Sequence, residues 1–187
     1  MQKGSSSNSL DTTDLYQAID ELGIVSFDGL VYRHVAPGID CRSGEGAQQQ
    51  GGRWNPPNSF PAIYTGLTRQ STVAEFYRLA ERNHIEPAAL LPRTLCIMRA
   101  ELHGVLDLRV ADALKAVGLD GEIVLGDDVR PCRRVGEAAH KLGLQGLLAP
   151  SATGTGEVLV IYMVNLRADS SLEPSGTETW ETLADLP

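Results

Sequence analysis

The sequence predicts one α+β domain. Short apolar runs that read as strands outnumber the helical stretches, and the two do not alternate strictly as a doubly wound sheet requires. No linker or internal repeat interrupts residues 24–166. The chain has 187 residues, 42% of them apolar, which suits a single domain with a full hydrophobic core.

Residues 1–10 begin MQKGSSSNS, polar and without the apolar segment of a secretory signal, and read as a flexible leader. Residues 11–22 (DTTDLYQAIDEL) read as a helix. Thr12 or Thr13 can cap it, Leu15, Ile19 and Leu22 share a face, and Gly23 stops it. Residues 30–35 (LVYRHV) read as a strand. A Gly/Pro/Gln-rich segment then runs to Pro61, longer than ordinary loops and therefore functional or disordered.

Residues 62–65 read as a short buried strand, and 69–82 as a helix starting near Thr68 or Ser71, with Val73, Phe76, Tyr77 and Ala80 forming its stripe. Strands are expected at 94–102 and 105–108, and a short helix at 110–117 ending at Gly118. Asp127 or Asp128 can cap a helix that runs through Pro131 to Leu142. The last core strands are expected at 145–149 and 157–166. The domain is thus bounded at 11–167. Residues 168–187 read as an acidic tail with Asp169, Glu173, Glu178, Glu181, Asp185 and no Lys or Arg, with one helical turn near Trp180 and Leu183.

Charge narrows the function. A formal net charge of −8 argues against a broad nucleic-acid footprint. Residues 31–53, however, carry Arg33, Arg42 and Arg53 against Asp40 and Glu45, a small basic spot that suits a small anionic ligand. No apolar run approaches the about 20 residues of a membrane span. Cys41, Cys96 and Cys132 are odd in number and match no metal spacing, so they read as reduced thiols of a cytosolic protein. Four scattered histidines without HExxH predict no metal. Neither GxSxG nor a Walker motif is present.

Several residues could carry chemistry. Gly51-Gly52 and Pro56-Pro57 bracket Arg53 and Trp54 in GGRWNPP. The glycines allow close backbone approach and the prolines stiffen the exit, which can hold Arg53 toward a cleft to grip phosphate. The alternative is a surface Arg beside a packing Trp. Tyr64, in the run AIY, is a core tyrosine or a ring that stacks on a ligand base. Glu75 has Arg78 and Arg82 at i+3 and i+7, which makes it an exposed ion-pair partner or a carboxylate aimed into the cleft. Ser151 follows LLAP at the end of a buried strand, where it lines a site or makes a turn. Arg33 shares a strand face with Val31 and Val35 and wants an anion or an acid there, while His34 points the other way, to solvent. Asp127 and Asp128 read as caps, and Gly154-Thr155-Gly156 as a hairpin turn.

In order, VYR at 31–33, SGEGA…GGRWN at 43–55, AIY at 62–64, AE at 74–75, APSA at 149–152 and the closing VIYMVNL together resemble the RES domain family, and within it the mycobacterial-type toxins. The resemblance covers residues 29–166. It implies a fold similar to ADP-ribosyltransferase toxins, with mixed small sheets flanked by helices. It implies the toxin of a bacterial toxin–antitoxin pair that depletes NAD+ by cutting the nicotinamide–ribose bond, with phosphate or water as acceptor. The alternative activity is mono-ADP-ribosylation of a cellular protein, and a third class is a non-catalytic interaction module. NAD+ is then the substrate and no cofactor is needed. The partner is a helix-turn-helix antitoxin that blocks the active site and through which the toxin oligomerises in the cytoplasm; nucleic acid and membrane are not bound directly. The motif match gives Glu75, Arg53, Tyr64 and Ser151 the catalytic roles, with Arg33, Arg53, Tyr64 and Ser151 binding substrate. Two departures stand out: Pro57-Asn58-Ser59-Phe60 where many members have Gly, and Asn165-Leu166-Arg167 where the family often has Asn-Pro.

Overall fold

Helix α1 (Thr12–Leu22) is capped one residue earlier than expected, by Asp11, whose carboxylate accepts the Asp14 N–H at 2.9 Å. The structure, a computed structural model, describes residues 10–187, so all but the last residue of the expected leader lies outside the described residues. Leu15 and Ile19 are buried, and Gly23 ends the helix at φ 73°. Strand β1 (Val25–Val35) extends five residues before the expected LVYRHV, and its first half is largely exposed.

The chain then makes a short helix, α2 (Glu45–Gln50), inside the long loop. Strand β2 (Ile63–Gly66) leads into α3 (Arg69–Arg82), where Thr68 and Ser71 cap each other reciprocally. Strand β3 (Arg93–Asp107) is continuous where two strands were expected. His103 and Gly104 stay extended because Gln145 takes over their hydrogen bonds. Its Oε1 accepts the His103 N–H at 2.6 Å, and its own N–H donates to the Gly104 carbonyl at 2.7 Å. Helices α4 (Ala111–Ala116), α5 (Gly121–Leu125) and α6 (Arg130–Lys141) follow. The sequence did not signal α5, which Asp120 caps. Asp128 accepts the Arg130 N–H at 3.1 Å at the start of α6, but the N-cap itself is Val129.

Strands β4 (Gly146–Pro150), β5 (Glu157–Ile161) and β6 (Ser171–Trp180) complete one six-stranded sheet, ordered β1-β2-β5-β4-β3-β6. Because β1 also pairs with β3, the ladders close on themselves, from β1 through β3, β4 and β5 to β2 and back. The closure is thin at one place. Strands β1 and β2 meet only at Tyr32 and Gly66, then part. Thr72 of α3 bridges that opening, donating to the Tyr32 carbonyl at 3.3 Å.

Two expectations are corrected. The presumed acidic tail contains β6, antiparallel to β3, with Leu172 and the fully buried Trp180 as anchors. Pro174 sits on this edge strand next to a register shift, a position where sheets accommodate proline. The cysteines are not all free thiols: Cys41 and Cys96 form a disulfide, leaving Cys132 as a buried free thiol. They are 55 residues apart, and the pairing of Arg33 with Cys96 in the β1–β3 ladder brings the loop after β1 over Cys96. No helix among the described residues is long and apolar enough to cross a membrane.

Candidate active site

The GGRWN segment owes its form to the two residues after Arg53. Trp54 and Asn55 are both fully buried. The Asn55 amide donates to the Ala47 carbonyl at 2.7 Å and to the carbonyls of Pro56 and Phe60, so one side chain ties α2 to the loop exit. The Tyr64 hydroxyl accepts the Trp54 N–H and donates to Asn55 Oδ1, both at 2.8 Å. Burial pushes the Tyr64 phenol well above its usual range, so it remains a donor. A Cβ on Gly52 would overlap that hydroxyl, and Gly51 takes φ 73°, so neither position accepts a side chain easily. The loop turns back at Asn58, whose φ of 53° Asn tolerates. Arg133 of α6 fixes the other side, its Nε donating to the Gly52 carbonyl at 2.8 Å. Arg53 thus leaves a backbone locked on both sides. Its Nη1 is buried and, among the described residues, has no hydrogen-bond partner. The same cation lies near Cys132, whose thiol burial raises and Arg53 partly lowers.

Glu75 projects from the middle of α3. Ser151, just after β4, donates its hydroxyl to Glu75 Oε1 at 2.8 Å. Ser151 Oγ also accepts the Thr153 N–H at 3.1 Å and lies 2.7 Å from Thr153 Oγ1. With its own proton on Glu75, Ser151 takes its remaining bonds from Thr153. The simple ion-pair reading of Glu75 does not hold: among the described residues no ion pair joins it to Arg78 or Arg82. Arg78 turns instead to the Ala152 carbonyl.

Two adjoining chambers open along α3. The first, about 210 Å³, lies at the parting of β1 and β2 and is lined by Tyr32, Arg33, His34, Tyr64, Thr72 and Glu75 among others. The second, about 300 Å³, is lined by Gly51, Gly52, Arg53, Arg133, Asp127 and Ala152. Glu75, Arg78, Arg82 and Val158 line both, so Glu75 stands at the junction. Arg53 and Glu75 therefore share a cavity.

A family comparison fits this arrangement: the RES domain model matches residues 30–182. The chain belongs to the RES domain family. It is 38% identical over 150 residues to the proteins called NAD(+) phosphorylase MbcT from Mycobacterium tuberculosis and Mycobacterium bovis, covering 79% of this chain and 81% of each relative. It also superposes on a chain in the crystal structure of the M. tuberculosis MbcT–MbcA toxin–antitoxin complex. The TM-score is 0.83 and the identity 35%, with 90% of this chain and 92% of that chain covered.

In this RES domain the expected site residues do not all stand alike. Ser151 is almost wholly buried and hydrogen-bonds Glu75 rather than lining either chamber. The Tyr64 ring lines the first chamber while its hydroxyl holds the GGRWN loop. Arg33 occupies the Val31/Val35 face, as alternation requires, but its Nη1 donates to the carbonyls of Cys41 and Ser43 at 2.9 and 2.8 Å rather than to an acid. Burial pulls its pKa down; Asp40 raises it and Arg93 lowers it. His34 does not face solvent. It packs between Phe76 and Trp180 and lies 3.2 Å from Arg93 Nε, and burial with the nearby arginines holds its pKa down to about 3. Sequence reasoning missed Arg133 as a member of the site and gave Arg78 and Arg82 only a surface role. The Arg at 78 and 82, each one helical turn or two from Glu75, was the available signal.

Proposed function

We propose that this chain is the toxin of a toxin–antitoxin pair and depletes NAD+ by breaking the nicotinamide–ribose bond, with phosphate as the acceptor. The observation that carries the reading is a carboxylate held by Ser151 and, among the described residues, unpaired with any cation, in a cleft where the buried Nη1 of Arg53 lacks a partner among those residues.

Nicotinamide leaves as a neutral base from a cationic pyridinium, so no acid need protonate it. The barrier lies in the positive charge that builds on the ribose carbon, as in glycoside cleavage. A carboxylate close to that carbon stabilises the transition state more than the ground state. Glu75 supplies it, and Ser151 fixes its direction. Arg53 grips the diphosphate, with Arg133 and Tyr64 holding its loop in place. The Tyr64 ring and Arg33 shape the chamber for the nicotinamide riboside half. NAD+ is the substrate, so no further cofactor enters. The relatives called NAD(+) phosphorylase and the toxin–antitoxin complex support this reading. On the family resemblance, a helix-turn-helix antitoxin closes the cleft and sets the assembly, and the action is on the cytoplasmic NAD+ pool.

The test is purified protein mixed with NAD+, with and without phosphate, following nicotinamide and the ribose product. Rapid release with ADP-ribose 1″-phosphate as product is expected. Release without the phosphorylated product would make the chain a glycohydrolase. Release that requires a protein target, which then carries ADP-ribose, would make it a transferase.

A further inference from the structure

Arg53, Arg78, Arg82 and Arg133 line the second chamber, with Glu75 and Asp127 as the acidic residues of its wall. Each guanidinium has five N–H donors, and they are engaged to different degrees. Arg78 donates to the Ala152 carbonyl and Arg133 to the Gly52 carbonyl. Arg53 keeps a buried Nη1 without a partner among the described residues. Arg82 is exposed and, among the described residues, pairs with no acid.

This difference orders the two anions of the reaction. A buried donor without a partner is costly until a ligand satisfies it, so Arg53 suits the substrate that fills the depth of the cleft. An exposed donor is satisfied by water and can wait for an anion that arrives after the cleft is occupied. Arg82 also lines both chambers, two helical turns along α3 from Glu75, so an anion it holds stands at the edge of the space that Glu75 faces. We propose that Arg82 receives the acceptor phosphate and sets the choice of phosphate over water. This rests on the NAD+-cleaving reading above.

In the step, the bond from the ribose carbon to nicotinamide breaks and its electron pair leaves with nicotinamide. A lone pair on an anionic oxygen of HPO4²⁻ forms the new carbon–oxygen bond. No proton has to be removed before attack, and the remaining P–OH proton stays on the product or passes to solvent. Phosphate gains a charge-assisted hydrogen bond from Arg82, whereas neutral water gains little. Removing the guanidinium therefore weakens one acceptor selectively.

The experiment compares Arg82→Ala and Arg82→Lys with the unmodified chain, varying phosphate and NAD+ separately and resolving ADP-ribose 1″-phosphate from ADP-ribose. For Arg82→Ala the KM for phosphate should rise about tenfold, the loss expected for one hydrogen bond to a charged group. The share of phosphorylated product at fixed phosphate should fall with it. Arg82→Lys keeps the charge and should recover part of both. An unchanged KM for phosphate overturns the proposal, as does a KM for NAD+ that rises in step with it, which would place Arg82 on the dinucleotide. An unmodified chain that releases no nicotinamide takes down the underlying activity, and this inference with it. That failure is seen before any variant is made.

Discussion

Glu75→Gln removes one negative charge and almost no volume. Ser151 now donates to Oε1 at 2.8 Å, and the amide oxygen of Gln can accept the same bond, so the side chain keeps its place. What disappears is the attraction between the carboxylate and the developing ribosyl cation. Losing one preorganised electrostatic contact costs about 10²–10³ in turnover, roughly 3–4 kcal/mol. The surroundings push the loss toward the upper figure. Four arginines line the second chamber against two carboxylates, and without Glu75 their repulsion of a cationic sugar is opposed only by Asp127. The assay is steady-state nicotinamide release with NAD+ varied up to saturation, with a thermal melt of the same sample. The rate should fall by about a thousandfold with little change in KM for NAD+, the signature of an interaction made in the transition state. Ser151→Ala keeps the charge and loses only its direction, so its loss should be about tenfold. If Glu75→Gln costs less than about tenfold in a folded protein, the charge does not act where we place it.

Tyr64→Phe leaves both the Trp54 N–H and Asn55 Oδ1 without their 2.8 Å partner, which should destabilise the fold by about 1–3 kcal/mol and raise the KM for NAD+. Urea denaturation with stability unchanged would show that the GGRWN loop is held by other means. The Cys41–Cys96 bridge spans 55 residues, and on the chain-entropy account its loss costs roughly 4 kcal/mol. Reductant or Cys41→Ser should therefore lower the denaturation midpoint, and a midpoint indifferent to both would speak against the bridge. His34 has its pKa held down to about 3 from 6.5, chiefly by burial, so between those values the unfolded chain binds a proton that the folded chain refuses. Stability should fall as pH drops from 6.5 toward 3, by up to about 1.4 kcal/mol per pH unit, and His34→Gln should lose that part of the slope in pH-dependent unfolding.

Local pattern made much of this fold legible. Helices α1 and α3 announced themselves by spacing, caps and Gly23, and the short β2 by its apolar run. What stayed hidden depends on partners distant in sequence. Strand β6 carries Pro174, Gly176 and exposed acids, which a lone segment cannot turn into a strand, and only pairing with β3 makes it one. The Cys41–Cys96 bridge follows from the β1–β3 register, which no local signal sets. His34 was misplaced because alternation assigns a face but not what covers it, and the cover is Phe76 and Trp180. In the cleft, GGRWN marked Arg53, yet the hydrogen bond from Arg133 to the Gly52 carbonyl, across 81 residues, lay beyond reach of spacing.

The arrangement around α3 explains why a carboxylate among arginines remains available for chemistry. Left to itself, Arg78, one turn further on, would pair with Glu75 along the helix. Such a pair would spend the charge before substrate arrived. Three contacts prevent it. The Ala152 carbonyl holds Arg78, Ser151 holds Glu75 Oε1, and Thr153 holds Ser151. All three partners come from the segment 151–153, directly after β4. One turn thus holds the carboxylate apart from the nearest arginine on its own helix until substrate enters. By that reasoning Thr153, which lines neither chamber, is needed to keep Glu75 free of Arg78.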